Sequence, residues 1–136
     1  MKLGLAMLDT IPALNSLKYL NQISITQGET VDIYFQLIDQ DSKDQKNQWG
    51  TRYMPALGAT MQVIIKSVND ANTLTKSATM VFPSDDRSIW KVSLTVAETA
   101  NMAGVNMQVT LTEGSNIKIA SAKNVLSVSN VNTFQC

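Results

Sequence analysis

Apolar and polar residues alternate along several short stretches of this chain, which is the pattern of half-buried β-strands. In the clearest of them, Val31, Ile33, Phe35 and Leu37 share one face while the residues between them are mostly polar. The same alternation, sometimes weaker, recurs in six other stretches: residues 23–26, 59–66, 74–82, 90–96, 105–112 and 117–128. Turn-forming residues separate these stretches, so the sequence predicts an all-β fold, an antiparallel β-sandwich of about seven strands.

In the last predicted strand the apolar residues do not all fall on one face. Ile117 and Ile119 are at odd-numbered positions, whereas Ala120 and Ala122 begin an apolar series at even-numbered positions, which lie on the opposite face of a regular strand. One extra residue in a strand reverses which side chains face the core. We therefore expect a bulge or a change of sheet at residues 120–123.

Two connections between predicted strands carry local signals. Residues 96–104 contain helix-forming residues in a stretch short enough for a single helical turn. After Pro83 the chain turns through Asp85-Asp86-Arg87. For these residues the sequence predicts a turn with a local ion pair and not a pair of catalytic carboxylates.

The N-terminal residues 1–21 do not alternate and predict an arm, either extended or with a short helix that begins at Pro12. An isolated helix of this length is marginal in water, so the arm needs a surface to lie on. That surface is either its own domain or a neighbouring subunit. In the second case the contact residues are the arm's leucines: Leu3, Leu5, Leu8, Leu14, Leu17 and Leu20.

A long polar connection, residues 39–58, contains Trp49, Arg52 and Tyr53. Loops of this length are usually functional or flexible. These three residues predict either a contact point for a partner or a lid over the sandwich edge. The predicted organisation is then the arm at 1–21, a sandwich domain at 22–130 and a C-terminal tail at 131–136.

Composition removes several classes of function. Eleven Lys and Arg residues balance eleven Asp and Glu residues, so nothing draws the chain to nucleic acid or to an anionic membrane. The absence of histidine removes the usual general base and metal ligand, and the single cysteine excludes a Cys-ligated metal or an internal disulfide. The sequence therefore predicts no catalytic residues, no metal and no cofactor.

The order of short motifs resembles a known family. The run from Ile25 to Asp39 includes Gly28-Glu29-Thr30 before a strand that ends in Leu37-Ile38-Asp39, and Gly58-Ala59 opens the next strand. Glu98-Thr99-Ala100 and a strand that begins at Gly104 follow. In this order the motifs resemble the immunoglobulin-like domains of tailed-phage virion proteins, in particular the N-terminal domain of the phage baseplate upper protein family, over residues 23–129.

This resemblance implies an immunoglobulin-like sandwich and a structural role in a virion assembled in the host cytoplasm. The expected partners are other virion structural proteins and further copies of the chain, in the tail or baseplate, the neck or the capsid decoration. The alternative is a carbohydrate- or receptor-binding module that uses Trp49, Arg52 and Tyr53 on a glycan. A third interpretation is a pilus-like subunit whose arm donates a strand to a neighbour.

Overall fold

A computed structural model describes residues 2–8, 19–20, 22–42, 51–67, 73–100 and 105–129. Within these ranges the chain is all-β, with ten strands, a 3₁₀ turn at Gln40–Ser42 and one helical turn, α1, at Val96–Thr99. The strands are β1 (Leu3–Leu8), β2 (Tyr19–Leu20), β3 (Ile23–Thr26), β4 (Val31–Asp39), β5 (Thr51–Arg52), β6 (Thr60–Ser67), β7 (Thr73–Phe82), β8 (Asp86–Leu94), β9 (Val105–Glu113) and β10 (Asn116–Ser129).

The strands form one curled, mostly antiparallel sheet in the order β2-β1-β4-β8-β7-β6-β9-β10-β3, with β5 beside β4. The long strand β7 pairs with β8 on one side and with β6 on the other, so it joins the two halves of the sheet. The strand β3 pairs with the end of β10 in the parallel sense. Only residues 21 and 22 separate β2 from β3, so the curl brings the two ends of the sheet together.

The inward side chains of both halves enclose one apolar core. Phe35, Trp90 and Val109 are almost completely buried there, and each comes from a stretch where the alternation predicts a strand. All seven predicted strands are confirmed, as β3, β4, β6, β7, β8, β9 and β10. The helical turn is confirmed as α1, whose capping box joins Thr95 and Glu98.

The sequence did not predict β1, β2 or β5. The six residues of β1 are all buried, so this strand lacks the alternation that identifies half-buried strands. The other two strands have two residues each. Since β1 pairs with β4 from Leu3 to Met7, the described N-terminal residues belong to the same sheet as the rest of the fold.

The irregularity expected at residues 120–123 of β10 is present at the end of that range, but it does not bring Ile117 and Ile119 to the core. The register with β9 is continuous from Asn116 to Ala122, and it shifts only between Ala122 and Leu126. The register shift therefore begins only after Ala122, beyond both isoleucines. Ala120 faces the core, whereas Ile117 and Ile119 are 64% and 60% exposed.

Candidate interaction surface

The outward side chains of β7, β6, β9 and β10 form a continuous surface, here called the outer face. The alternation that buries Val63 and Val109 points their neighbours to the other side of the sheet. In strand order the outer face consists of Thr73, Thr75, Ser77 and Thr79; Thr60, Gln62, Ile64 and Lys66; Asn106, Gln108, Thr110 and Thr112; and Ile117, Ile119 and Ser121.

The outer face is nearly uncharged, since Lys66 is the one charged residue in that set. The outward side of the neighbouring strands β4 and β8 differs, because Asp32 and Lys91 lie there. A surface rich in hydroxyl and amide groups can hydrogen-bond to a partner without removing a full charge from water. Its chemistry therefore suits contact with another neutral surface.

Register places the polar side chains in rows across the strands. Gln62 lies between Ser77 on β7 and Thr110 on β9, and Thr110 lies opposite Ile119 on β10. A groove of about 600 Å³ reaches this part of the sheet. Outer-face residues such as Gln62, Ser77 and Thr110 line it together with the core residues Met61, Ala78 and Trp90.

At the β10 margin the outer face becomes apolar. Ile117 lies opposite Thr112 and Ile119 opposite Thr110, and both isoleucines are exposed for more than half of their surface. Because they lie side by side on one strand face, the two isoleucines offer apolar area that a contact with a partner would bury. Sequence reasoning missed these residues as a surface because it treated them as core. The signal was present, however, in the conflict of parity with Ala120.

Three of the arm leucines lie within the fold. Leu3, Leu5 and Leu8 are 6%, 8% and 1% exposed, and all three are in β1. Leu3 and Leu5 point into the main core, and Leu8 lies on the reverse side of the sheet. The interpretation in which they wait for a second subunit is therefore corrected for these three residues, because β1 buries them within a single chain.

The remaining arm leucines have different outcomes. Leu20, in β2, is half-buried and packs against the core, where it pairs with Met7. Leu14 and Leu17 lie outside the described residues, as does Trp49. Their predicted contacts with a partner stay predictions.

Arg52 is held by a buried carboxylate. Its Nη1 donates to Oδ2 of Asp86 at 3.0 Å, and the Asp86 side chain is only 3% exposed while that of Arg52 is 57% exposed. The expected local ion pair of the Asp85-Asp86-Arg87 turn is therefore wrong for Asp86, whose partner is 34 residues away. Arg87 instead donates through Nε to the backbone oxygen of Pro55 at 2.9 Å.

Behind this ion pair, a chain of hydrogen bonds crosses the reverse side of the sheet. The second carboxylate oxygen of Asp86 accepts from the backbone N–H and the hydroxyl of Ser88. The Ser88 hydroxyl accepts from Nε2 of Gln36 at 3.0 Å, and Oε1 of Gln36 accepts from the Tyr19 hydroxyl. Burial and the nearby Asp86 charge raise the pKa of Tyr19, so this hydroxyl stays protonated and donates.

Tyr53 closes one end of the core together with Glu113. The Tyr53 hydroxyl donates to Oε1 of Glu113 at 2.7 Å, the backbone N–H of Ala56 donates to Oε2 at 2.9 Å, and Lys118 Nζ lies 2.9 Å from Oε1. Lys118 also lies over the Tyr53 ring, 5.4 Å from its centroid. A single carboxylate thus fastens two parts of the 51–57 segment to the β9–β10 hairpin.

The ionisation of this cluster follows from these contacts. Burial raises the pKa of Tyr53, and the hydrogen bond to Glu113 raises it further. Burial opposes ionisation of Glu113, but hydrogen bonds from Tyr53, Lys118 and the Ala56 backbone outweigh it and lower the pKa of Glu113. Arg52 and Tyr53 therefore have their polar ends in contact with the chain's own carboxylates, an arrangement that resembles the lid more than a ligand-binding loop.

Two further observations concern the described ranges only. No group of three or more His, Cys, Asp or Glu side chains in them is placed to hold a metal ion. No helix among these residues is long and apolar enough to span a bilayer.

Comparison with known proteins adds little to this geometry. No family model matches the sequence, and no curated protein does. Among solved structures, the endo-β-1,4-mannanase of Thermotoga petrophila is similar over 96% of this chain, with a TM-score of 0.44 and 9% identity. The chain spans 20% of that enzyme's length.

Proposed function

We propose that this chain is a non-enzymatic structural subunit of a tailed-phage particle, which assembles with further copies of itself and with other virion proteins. The observation that carries the proposal is the neutral outer face, which has exposed Ile117 and Ile119 at its β10 margin. The motif order from Gly28-Glu29-Thr30 to Glu98-Thr99-Ala100 supports the phage context.

The strand order supports an immunoglobulin-like fold for this subunit. The seven longest strands can be lettered A to G along the chain, which leaves out the short strands β2, β3 and β5. In this lettering the sheet order β1, β4, β8, β7 reads A-B-E-D. The strands β6, β9 and β10 then read C-F-G. The same two strand orders occur in the sheets of a constant-type immunoglobulin sandwich, which supports the proposal of that fold. In this chain the pairing of β7 with β6 continues one order into the other.

The energetics of the outer face favour contact between neutral surfaces. Full burial of an isoleucine side chain contributes about 1.5 to 3 kcal/mol. Since Ile117 and Ile119 are each about 60% exposed, their burial at an interface contributes on the order of 2 to 4 kcal/mol in total. The surrounding threonine and glutamine side chains bring no unpaired charge, so this gain is not cancelled by ion desolvation.

Sedimentation velocity over a range of protein concentrations tests the proposal. We expect the wild-type chain to form assemblies larger than 14.9 kDa and Ile119→Lys to weaken their formation, because a lysine there must lose its hydration in the contact. Leu57→Lys is the matched control, since Leu57 is 83% exposed and lies outside the outer face.

Two results would contradict the proposal. One is a wild-type chain that stays monomeric at every concentration, alone and with co-expressed neighbouring gene products. The other is an Ile119→Lys chain that assembles as well as Leu57→Lys does, which would mean that the β10 margin has no specific part in the association.

A further inference from the structure

The groove that reaches the outer face lies where β7 leaves β6. These two strands pair as far as Met61 and Ala78. In the same register Thr60 would lie opposite Thr79, but Thr79 pairs with Lys91 on β8 instead. The sheet therefore opens between β6 and β7 at this point. Because Thr60 and Thr79 both line the groove of about 600 Å³, this groove is here called the fork groove.

The opening gives the fork groove an apolar side and a polar side. Met61 and Trp90 belong to the core and are 3% and 2% exposed, yet both line the groove. Gln62 and Ser77 line it from the outer face, where they lie opposite each other and are exposed to solvent. A ligand in the groove would therefore meet apolar side chains toward the core and hydroxyl and amide groups toward the solvent.

The groove has no charge to offer a ligand. Among the described residues that line it, none is acidic or basic. A charged ligand would therefore lose hydration without gaining a counter-charge. A wholly apolar ligand would take the polar side chains out of water and return no hydrogen bonds. The lining favours a neutral ligand that has both hydrogen-bonding groups and apolar carbon surface.

The size of the opening favours a small molecule over a peptide strand. The groove volume lies within the range of about 300 to 1,000 Å³ that small-molecule sites have. By contrast, the fork separates only residues 59–60 from residues 79–80, since the chain turns at residues 57–58 before β6 begins. Two residues on each side are fewer than the about three of the shortest usual strands.

We propose that the fork groove binds a neutral saccharide. Each hydroxyl of a sugar ring both donates and accepts, as the threonine and serine hydroxyls do, and a glutamine amide has a donor and an acceptor as well. The C–H groups of the ring match Met61 and Ala78. This site differs from the one predicted at Trp49, Arg52 and Tyr53, because the polar ends of Arg52 and Tyr53 contact carboxylates of their own chain.

The inference is independent of the proposed function. The described lining of the fork groove comes from β6, β7, β8 and β9 and their flanks, whereas Ile117 and Ile119 lie on β10. Saccharide binding and the association of copies can therefore be measured, and can fail, separately.

Isothermal titration calorimetry with maltose, cellobiose, lactose and sucrose tests the inference. We expect saturable binding of at least one of these neutral disaccharides with a Kd below about 10 mM. Gln62→Ala should weaken that binding about tenfold, because it removes a hydrogen-bonding side chain from the groove. Gln108→Ala is the matched control, since it makes the same change on the outer face at a residue that does not line this groove, and it should leave the Kd within about twofold.

Three results would overturn the inference. The first is no saturable heat with any of the four disaccharides up to about 50 mM. The second is binding of glucuronate, an anionic sugar, by a chain that binds none of the neutral ones. The third is equal weakening by Gln62→Ala and Gln108→Ala in chains whose circular dichroism matches wild type, which would place the saccharide elsewhere. Each of these results leaves the association of copies through the β10 margin standing.

Discussion

The buried carboxylate of Asp86 offers the sharpest test of how the fold is held together. It accepts hydrogen bonds from Ser88 through one oxygen and from Arg52 through the other. Asp86→Asn keeps the shape and the oxygen that faces Ser88, but it places an amide N–H₂ where Arg52 donates. The substitution therefore removes one charge-assisted hydrogen bond and leaves two donors facing each other.

The magnitude follows from that geometry. A hydrogen bond to a charged group contributes about 1.5 to 3 kcal/mol. The lower half of this range applies, because the Arg52 side chain is 57% exposed and water screens its charge. We expect Asp86→Asn to lower the free energy of unfolding by about 2 kcal/mol, which corresponds to about 6 to 8 °C in Tm for a domain of this size.

Urea denaturation followed by circular dichroism measures this difference. Asp85→Asn is the matched control, since it makes the same chemical change one residue earlier at an exposed position, and it should stay within about 0.5 kcal/mol of wild type. Equal stability of Asp86→Asn and Asp85→Asn would refute the reasoning, since it would mean that the buried carboxylate and its partners contribute nothing net.

Three smaller predictions concern other contacts. Glu113→Gln should lower the free energy of unfolding by about 1 to 2 kcal/mol. Because the fold lowers the pKa of Glu113, this difference from wild type should be present above pH 4.5 and shrink below it. Denaturation at pH 7 and at pH 3 measures the change. Thr99→Val should cost about 1 to 2 kcal/mol in thermal unfolding, because it leaves the backbone N–H of Gly28 without the buried hydroxyl that accepts from it. Gly4→Ala should lower Tm, because the new Cβ would lie 2.5 Å from the side chain of Gln40. Adding Gln40→Ala removes that side chain and should restore Tm. If the double variant still has a lower Tm than wild type, the cost comes from the backbone at residue 4 instead.

The strands that could be predicted are those with one face in the core. In β9 and in the first half of β4 buried and less buried residues alternate, so the alternation alone marks these strands. The strand β1 could not be found in this way, because the sheet buries both of its faces. Nothing in the local sequence distinguishes such a strand from an apolar arm that waits for another subunit.

The candidate surface was harder to predict for a different reason. An apolar residue in an alternating strand is normally assigned to the core, so Ile117 and Ile119 were assigned inward although Ala120 required the opposite phase. Likewise, the partner of Asp86 is distant in the sequence, and only the fold brings Arg52 to it. The outer face and its anchoring contacts depend on register between strands, which no single stretch of sequence contains.

The association of copies is the central claim, and the mass of the unmodified chain in solution tests it most directly. Light scattering across a roughly hundredfold range of concentration should show the weight-average mass rise from 14.9 kDa toward at least twice that value. A mass that stays at the monomer value over the whole range would contradict the account.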